Sequence, residues 1–189
     1  MILIINICNE EMHYYEFVKP IEDVILNANK EFITKHYKKD YSSIMSIIND
    51  NLSSCDRIII AGTSLKDMDY SKDLSKFEFL KSYTKPILAI CGGMQILCML
   101  HECKLIKGGE IGLKNTFFDK NYLGITGSRE VYTLHNMAIK EDSSLNKSFN
   151  IFSRTNYVQA VMHKKLPHYG LLFHPEVRNK DLIVNFLYV

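Results

Sequence analysis

The chain has 189 residues, 47% of them hydrophobic and 23% charged, and its formal net charge is +2. This length and composition are typical of a globular chain, and we predict a single domain over residues 1–189. The small net charge gives no electrostatic reason to expect a nucleic-acid partner.

The first hundred residues predict alternating strands and helices. Residues 1–7 form an apolar run that predicts a strand buried on both faces; the run is too short to cross a membrane and lacks the features of a signal peptide. Further strands are predicted at 30–37, 57–61 and 87–90. The spacing of apolar residues predicts helices at 17–28, 44–48, 74–81 and 94–100. This alternation indicates a mainly parallel sheet with helices on both faces.

Beyond Gly108 the pattern changes to short β-like stretches. They lie at about 114–118, 130–134, 150–154 and 157–162, and a last strand is predicted at 169–173. His174, Pro175 and Glu176 follow that strand directly, and a terminal helix is predicted at 181–187.

Cys91 lies where a predicted buried strand runs into a predicted helix, within I-C-G-G-M-Q at 90–95. Ligands bind at the carboxyl ends of strands in open α/β sheets. Gly92 would permit the sharp turn of a nucleophile elbow, and the helix start would direct N–H groups toward the sulfur and favour thiolate. We predict that Cys91 is a nucleophile and that the N–H of Gly92 donates to an oxyanion. Gln95, one helical turn further, could hold an amino-acid substrate.

The other four cysteines are interpreted as small buried residues. No C-x-x-C pair or zinc-ligand spacing occurs, which favours free thiols, no metal and a cytoplasmic location. These four are Cys8, Cys55, Cys98 and Cys103.

His174 and Glu176 lie two residues apart at the end of an apolar run. In extended chain they point to the same side, so the carboxylate can orient the imidazole while its other nitrogen faces a sulfur. A base with such an orienting partner is what a cysteine nucleophile needs. We predict a catalytic triad of Cys91, His174 and Glu176.

The motifs I-C-G-G-M-Q at 90–95 and G-L-L-F-H-P-E-V at 170–177 resemble the two signatures of the class I, triad-type glutamine amidotransferases. The likeness is greatest to the glutaminase unit of GMP synthetases, and it extends from about residue 56 to the C terminus. It implies a flavodoxin-like α/β fold with a mainly parallel central sheet and a small antiparallel β addition. It also implies hydrolysis of glutamine to glutamate and ammonia by the triad, without a cofactor.

The resemblance further implies a substrate site. The segment I-A-G-T-S at 60–64 replaces a loop that supplies the second oxyanion donor, here the N–H of Thr63. Thr63 stands where glycine is common, which predicts a stiffer loop. Met137 stands where GMP synthetases carry an aspartate. The implied substrate-binding residues are Gly62, Gln95, Glu110 in an E-I-G turn, His135, Asn136 and Met137.

The resemblance also implies a partner. No Walker A or other glycine-rich nucleotide loop follows a strand, so we expect the ammonia to pass to a separate ATP-dependent synthetase. One alternative is a stand-alone hydrolase of γ-glutamyl compounds. Another is a non-catalytic regulatory subunit that binds glutamine or a partner, and a third is a protein that shares only the cysteine elbow.

Overall fold

The computed structural model describes residues 1–49 and 55–189. Nine strands occur in these residues: β1 (Ile2–Asn6), β2 (Phe32–His36), β3 (Arg57–Ile60), β4 (Ile87–Ile90), β5 (Leu105–Tyr122), β6 (Ile125–Ile139), β7 (Phe149–Arg154), β8 (Val158–His163) and β9 (His168–Leu171). Seven form the central sheet in the order β2-β1-β3-β4-β9-β8-β7. Five neighbouring strands of this sheet run parallel to one another: β2, β1, β3, β4 and β9. The next strand, β8, pairs antiparallel with both β9 and β7.

The helices lie on both faces of this sheet. They are α1 (Glu11–His13), which continues through a π-helical turn (Tyr14–Val18) into α2 (Lys19–Asn27), then α3 (Tyr41–Asn49), α4 (Gly92–Leu100), α5 (Ser143–Ser148) and α6 (Lys180–Phe186). Two 3-10 segments, Asp69–Ser71 and Leu74–Lys81, precede β4. Within the described ranges, no helix has both the length and the apolar character needed to cross a membrane.

Two hydrophobic cores flank the parallel strands. In β1, Ile2 and Ile4 belong to one core and Leu3 and Ile5 to the other, as the two-residue period of a strand requires. The first core is closed by α2 and α6, and the second by α3 and α4. The predicted α/β fold with a mainly parallel, doubly covered sheet is therefore confirmed.

The small antiparallel addition is a long hairpin of β5 and β6. It pairs from Leu105 opposite Ile139 to Tyr122 opposite Ile125. The predicted stretches 114–118 and 130–134 were too short, because in β5 the exposed Ile111, Leu113 and Phe117 are apolar whereas the buried Glu110 and Thr116 are polar, so the apolar pattern does not mark the buried face. The predicted turn at 110–112 was wrong as well, since these residues lie inside β5.

Three smaller differences from the predictions occur. The helix predicted at 74–81 is a 3-10 helix, and α5 was not predicted. The last strand ends at Leu171 instead of residue 173. The N–H of Leu172 still donates to the Gln159 carbonyl of β8, but the N–H of His174 donates to the Tyr132 carbonyl of the hairpin. The turn that carries His174 starts here.

Candidate active site

Cys91 joins β4 to α4 in a strained backbone conformation. Its φ is +47° and its ψ −105°, a region that costs an L-residue about 1–3 kcal/mol. The N–H of Cys91 donates to the carbonyl of Leu171 in β9 at 2.7 Å, which holds the bend in place. A bend of this kind lifts the sulfur above the carboxyl edge of the sheet.

The positive φ lies at Cys91 itself, so Gly92 serves a different purpose from the one predicted. A Cβ on Gly92 would lie 2.8 Å from Ile7 Cδ1, and one on Gly93 would lie 2.5 Å from the Ile60 carbonyl oxygen. Both glycines therefore allow α4 to approach the sheet closely. The first hydrogen bond of α4 runs from the Gln95 N–H to the Cys91 carbonyl, which leaves the Gly92 N–H without an acceptor inside the helix.

His174 and Glu176 form a buried pair in the turn after β9. His174 Nδ1 lies 2.7 Å from Glu176 Oε1, and the two side chains have no solvent exposure. The His174 N–H donates to the Tyr132 carbonyl of β6 at 2.8 Å. Among the described residues, His174 Nε2 has no hydrogen-bond partner. This nitrogen is therefore left to interact with the sulfur.

The charge state of His174 follows from this setting. Complete burial alone would lower the pKa of His174, but the Glu176 carboxylate and the nearby Cys91 sulfur outweigh it. The net effect holds the pKa of His174 well above its ordinary value. The imidazole can thus carry a proton at neutral pH.

Gly62, two residues after β3, packs against both Cys91 and His174. A Cβ placed on Gly62 would lie 2.8 Å from His174 Cε1 and 3.4 Å from Cys91 Cβ. A side chain here would therefore displace the imidazole. Cys91 and His174 come from distant parts of the chain, and the absence of a side chain at Gly62 leaves room for both.

Thr63 begins a loop of residues 63–68, called here the Thr63 loop. Its hydroxyl donates to Asp67 Oδ2 at 2.6 Å. The same oxygen accepts from His13 Nδ1 at 2.8 Å and from the Asn9 N–H at 3.2 Å. Thr63, Asp67 and His13 are all buried. The stiff loop expected from Thr63 is thus fixed by its side chain as well as by its backbone.

Gln95 has both ends of its amide in hydrogen bonds. Its Oε1 accepts from the Tyr70 hydroxyl at 2.6 Å, and its Nε2 donates to the Met137 carbonyl at 3.1 Å. Burial raises the pKa of Tyr70, so the phenol keeps its proton as a donor. Because Met137 contributes its backbone carbonyl, this hydrogen bond does not depend on which side chain residue 137 carries.

His135 and Glu110 face each other across the hairpin. His135 Nδ1 lies 3.0 Å from the Gly108 carbonyl and Nε2 lies 3.7 Å from Glu110 Oε2. Burial lowers the pKa of His135, so the neutral ring donates through Nδ1 and presents an acceptor at Nε2. Glu110 accepts hydrogen bonds from Thr155, Asn156 and Gln159.

The cleft above the sulfur, called here the Cys91 cleft, is almost closed. Its internal volume is about 10 Å³, roughly the room for one water molecule. The Cys91 thiol donates to the Leu134 carbonyl of β6 at 3.6 Å, and Asn136 Nδ2 donates to the Leu65 carbonyl at 3.1 Å. The lining residues are Thr63, Ser64, Leu65, Met68, Tyr70, Cys91, Gly92, Gln95, Leu134, His135 and Asn136.

A comparison with protein families accounts for this arrangement. The family model described as glutamine amidotransferase class-I matches residues 13–187. The chain belongs to this family. It is 31% identical over 140 residues to a subunit of the glutamine-hydrolysing GMP synthase of Picrophilus torridus, covering 70% of this chain and 73% of that protein. It is also 31% identical over 124 residues to the same-named subunit of Ignicoccus hospitalis, covering 58% and 62%.

Two solved structures share the fold of this chain. A protein assigned as a GMP synthase subunit from Thermoplasma acidophilum superposes with a TM-score of 0.79 at 20% identity, covering 99% of this chain and 92% of that one. A glutamine amidotransferase from Thermotoga maritima superposes with a TM-score of 0.67 at 17% identity, covering 93% and 75%. The predicted class I amidotransferase fold is confirmed.

Not every residue predicted for the substrate site of this amidotransferase lines the Cys91 cleft. Thr63, Gly92, Gln95, His135 and Asn136 do. Glu110 does not line the cleft; its Oε2 lies 3.7 Å from His135 Nε2. Gly62 packs against Cys91 and His174, and the Met137 carbonyl accepts from the Gln95 side chain.

Sequence reasoning missed several residues around the site of this amidotransferase. Tyr70, Met68 and Leu134 line the cleft. Asp67 lies within the Thr63 loop, where His13 contacts it, and Cys8 contacts the Gly62 carbonyl just before the loop. Residues 64–73 show no regular apolar spacing, so nothing in that segment marked Tyr70. The available signal was the pair of polar residues Thr63 and Asp67, four residues apart after a strand.

Proposed function

We propose that this chain hydrolyses glutamine to glutamate and ammonia with Cys91 as nucleophile, and delivers the ammonia to a separate ATP-dependent synthetase. The observation that carries the proposal is the packing of Cys91 and the buried His174–Glu176 pair against Gly62. A nucleophile with a protonated, oriented imidazole beside it fits both this arrangement and the family membership.

The first half of the reaction forms a thioester. The Cys91 thiolate adds to the side-chain carboxamide carbon of glutamine, and the N–H groups of Gly92 and Thr63 donate to the resulting oxyanion. Losing one such donor typically costs about 100- to 1,000-fold in rate. His174 Nε2 gives its proton to the amide nitrogen, the C–N bond breaks, and ammonia leaves.

The second half releases glutamate. His174, now neutral, takes a proton from water, and the hydroxide attacks the γ-glutamyl thioester carbon. The same two N–H groups stabilise the second oxyanion, after which the C–S bond breaks and Cys91 regains its thiolate. Glu176 holds the imidazole in one orientation through both halves.

The amino-acid end of glutamine would lie toward His135. The unpartnered Nε2 acceptor of His135 suits the α-ammonium group of the substrate, and Asn136 and Gln95 border the same space. Glu110, 3.7 Å behind that nitrogen, adds negative charge of the sign that an ammonium group requires.

The closed Cys91 cleft supports dependence on a partner. A cleft of about 10 Å³ cannot admit glutamine until β6 moves away from the Thr63 loop. The two relatives compared above are named as subunits, which supports a second polypeptide, and a GMP synthetase-like protein is the first to test. The five cysteines are all free thiols, in keeping with the proposed cytoplasmic location.

The test is glutamate release by the purified chain alone and with the synthetase that co-purifies with it. We expect the synthetase to raise the rate of glutamate release, because the closed cleft has to open before glutamine can enter. A full rate without the synthetase, together with cleavage of other γ-glutamyl compounds, would favour the stand-alone hydrolase. No glutamate release under either condition would favour the non-catalytic subunit.

A further inference from the structure

Two contacts hold the Gly62–Thr63 peptide, and neither uses a triad residue. Cys8 Sγ donates to the Gly62 carbonyl at 3.7 Å. The Thr63 hydroxyl donates to Asp67 Oδ2 at 2.6 Å. Asp67 is in turn bound by His13 and by the Asn9 N–H. We call Asn9, His13, Thr63 and Asp67 the Asp67 cluster.

The Cys8 contact sets the direction of the Thr63 N–H. In a trans peptide the carbonyl and the N–H point in opposite directions. A Gly62 carbonyl held toward Cys8 therefore directs the Thr63 N–H away from Cys8. Burial raises the pKa of Cys8 to about 11, so this thiol keeps the proton that it donates.

The Asp67 contact restrains the Thr63 side chain. Burial alone would raise the pKa of Asp67, but the hydrogen bonds from Thr63, Asn9 and His13 outweigh it and lower the pKa. Asp67 is therefore an ionised acceptor with three donors on one buried oxygen. Charge-assisted hydrogen bonds of this kind are stronger than neutral ones, so the Thr63 side chain has one preferred position.

The Asp67 cluster also reaches the imidazole. The His13 ring packs edge-on against Phe17 at 6.4 Å between centroids, and Phe17 packs against His174 at 5.2 Å. The Thr63 loop and the His174 imidazole are thus both in contact with side chains from residues 8–17 of the chain.

We propose that Asp67 and Cys8 are positioning residues that fix the Gly62–Thr63 peptide with its N–H directed at the oxyanion, so that the second donor is already in place before glutamine binds. The inference rests on the proposed function. Threonine stands here where glycine is common, and its backbone is less free to rotate than that of glycine. The hydrogen bond from its hydroxyl to Asp67 instead holds the residue in one orientation, in which its N–H can serve as a donor.

The test compares two reactions of Cys91 in the complex with the synthetase. Glutamine hydrolysis forms an oxyanion, whereas alkylation of the thiol by iodoacetamide does not. Thr63→Val keeps the side-chain volume but removes the hydroxyl. We expect kcat for glutamine to fall about 10- to 100-fold, with KM and the alkylation rate of Cys91 unchanged. Thr63→Ser should recover most of the loss.

Two further variants complete the design. Thr116→Val makes the same change at a buried hydroxyl of the hairpin, which donates to the Arg154 carbonyl of β7, and should leave kcat unchanged. Cys8→Ala should lower kcat in the same selective way and decides the matter if Thr63→Val does not fold. A wild-type kcat in Thr63→Val, or an equal fall in kcat and alkylation, overturns the inference alone. Absence of glutamate release from the wild-type complex overturns the proposed function and the inference with it.

Discussion

Cys91→Ala should lower glutamate release by the synthetase complex about 10⁴-fold or more, the usual cost of removing a catalytic nucleophile. The sulfur at the strained bend after β4 is the group that forms the acyl intermediate, and alanine fits the same backbone without adding atoms. Glutamine binding should persist, because the residues that border the Cys91 cleft remain. The measurement is glutamate formed per unit time at saturating glutamine.

A second cysteine provides the matched control for this variant. Cys103 is also a buried free thiol, but it follows α4 at the end opposite the bend. Cys103→Ala should therefore keep the wild-type rate. Glutamate release by Cys91→Ala at the wild-type rate would remove Cys91 from the mechanism, whatever the result for the control.

Glu176→Gln should lower kcat on the order of 100- to 10,000-fold, the range of general acid–base contributions. The negative charge of Glu176 raises the pKa of His174 against the effect of burial. In the wild type, activity should therefore persist well above the ordinary pKa of a histidine and fall only as His174 loses its proton. Without the carboxylate charge the pKa of His174 drops, so the alkaline limb of the kcat/KM profile should move to lower pH.

Glu22 offers the control for the Glu176 variant. It is a buried carboxylate in α2 that accepts hydrogen bonds from Tyr14 and Thr34 rather than from the triad. Glu22→Gln should leave the position of the alkaline limb unchanged. An unmoved limb in Glu176→Gln would show that another group controls the proton on His174.

The sequence predicts the parallel half of the fold and the catalytic motifs because both are local patterns. β1, β3 and β4 are short apolar runs rich in isoleucine, and the cysteine and the H-P-E triplet each follow an apolar run directly. The hairpin is less predictable. One of its faces exposes Ile111, Leu113 and Phe117 while a lysine and other polar residues lie among them, so the alternation that defines a half-buried strand is obscured.

The residues that position the Thr63 loop could not be predicted from the sequence, for a different reason. Asp67, His13 and Cys8 act through contacts between residues 54 positions apart in the chain, and no local pattern marks such pairs. Gly62 is a similar case. Only its contacts with His174 and Cys91 in the folded chain show why a side chain is excluded there. The closing of the Cys91 cleft depends on β6, whose register is set by the whole hairpin.

The acyl intermediate on Cys91 tests the central claim most directly. The synthetase complex is mixed with glutamine, quenched in acid during turnover and digested, and its cysteine peptides are analysed by mass spectrometry. We predict a γ-glutamyl group on the peptide that contains Cys91, lost on treatment with hydroxylamine, and none on the peptides of the other four cysteines. Glutamate formation with Cys91 unmodified throughout turnover, or with the γ-glutamyl group on a different cysteine, would contradict the account.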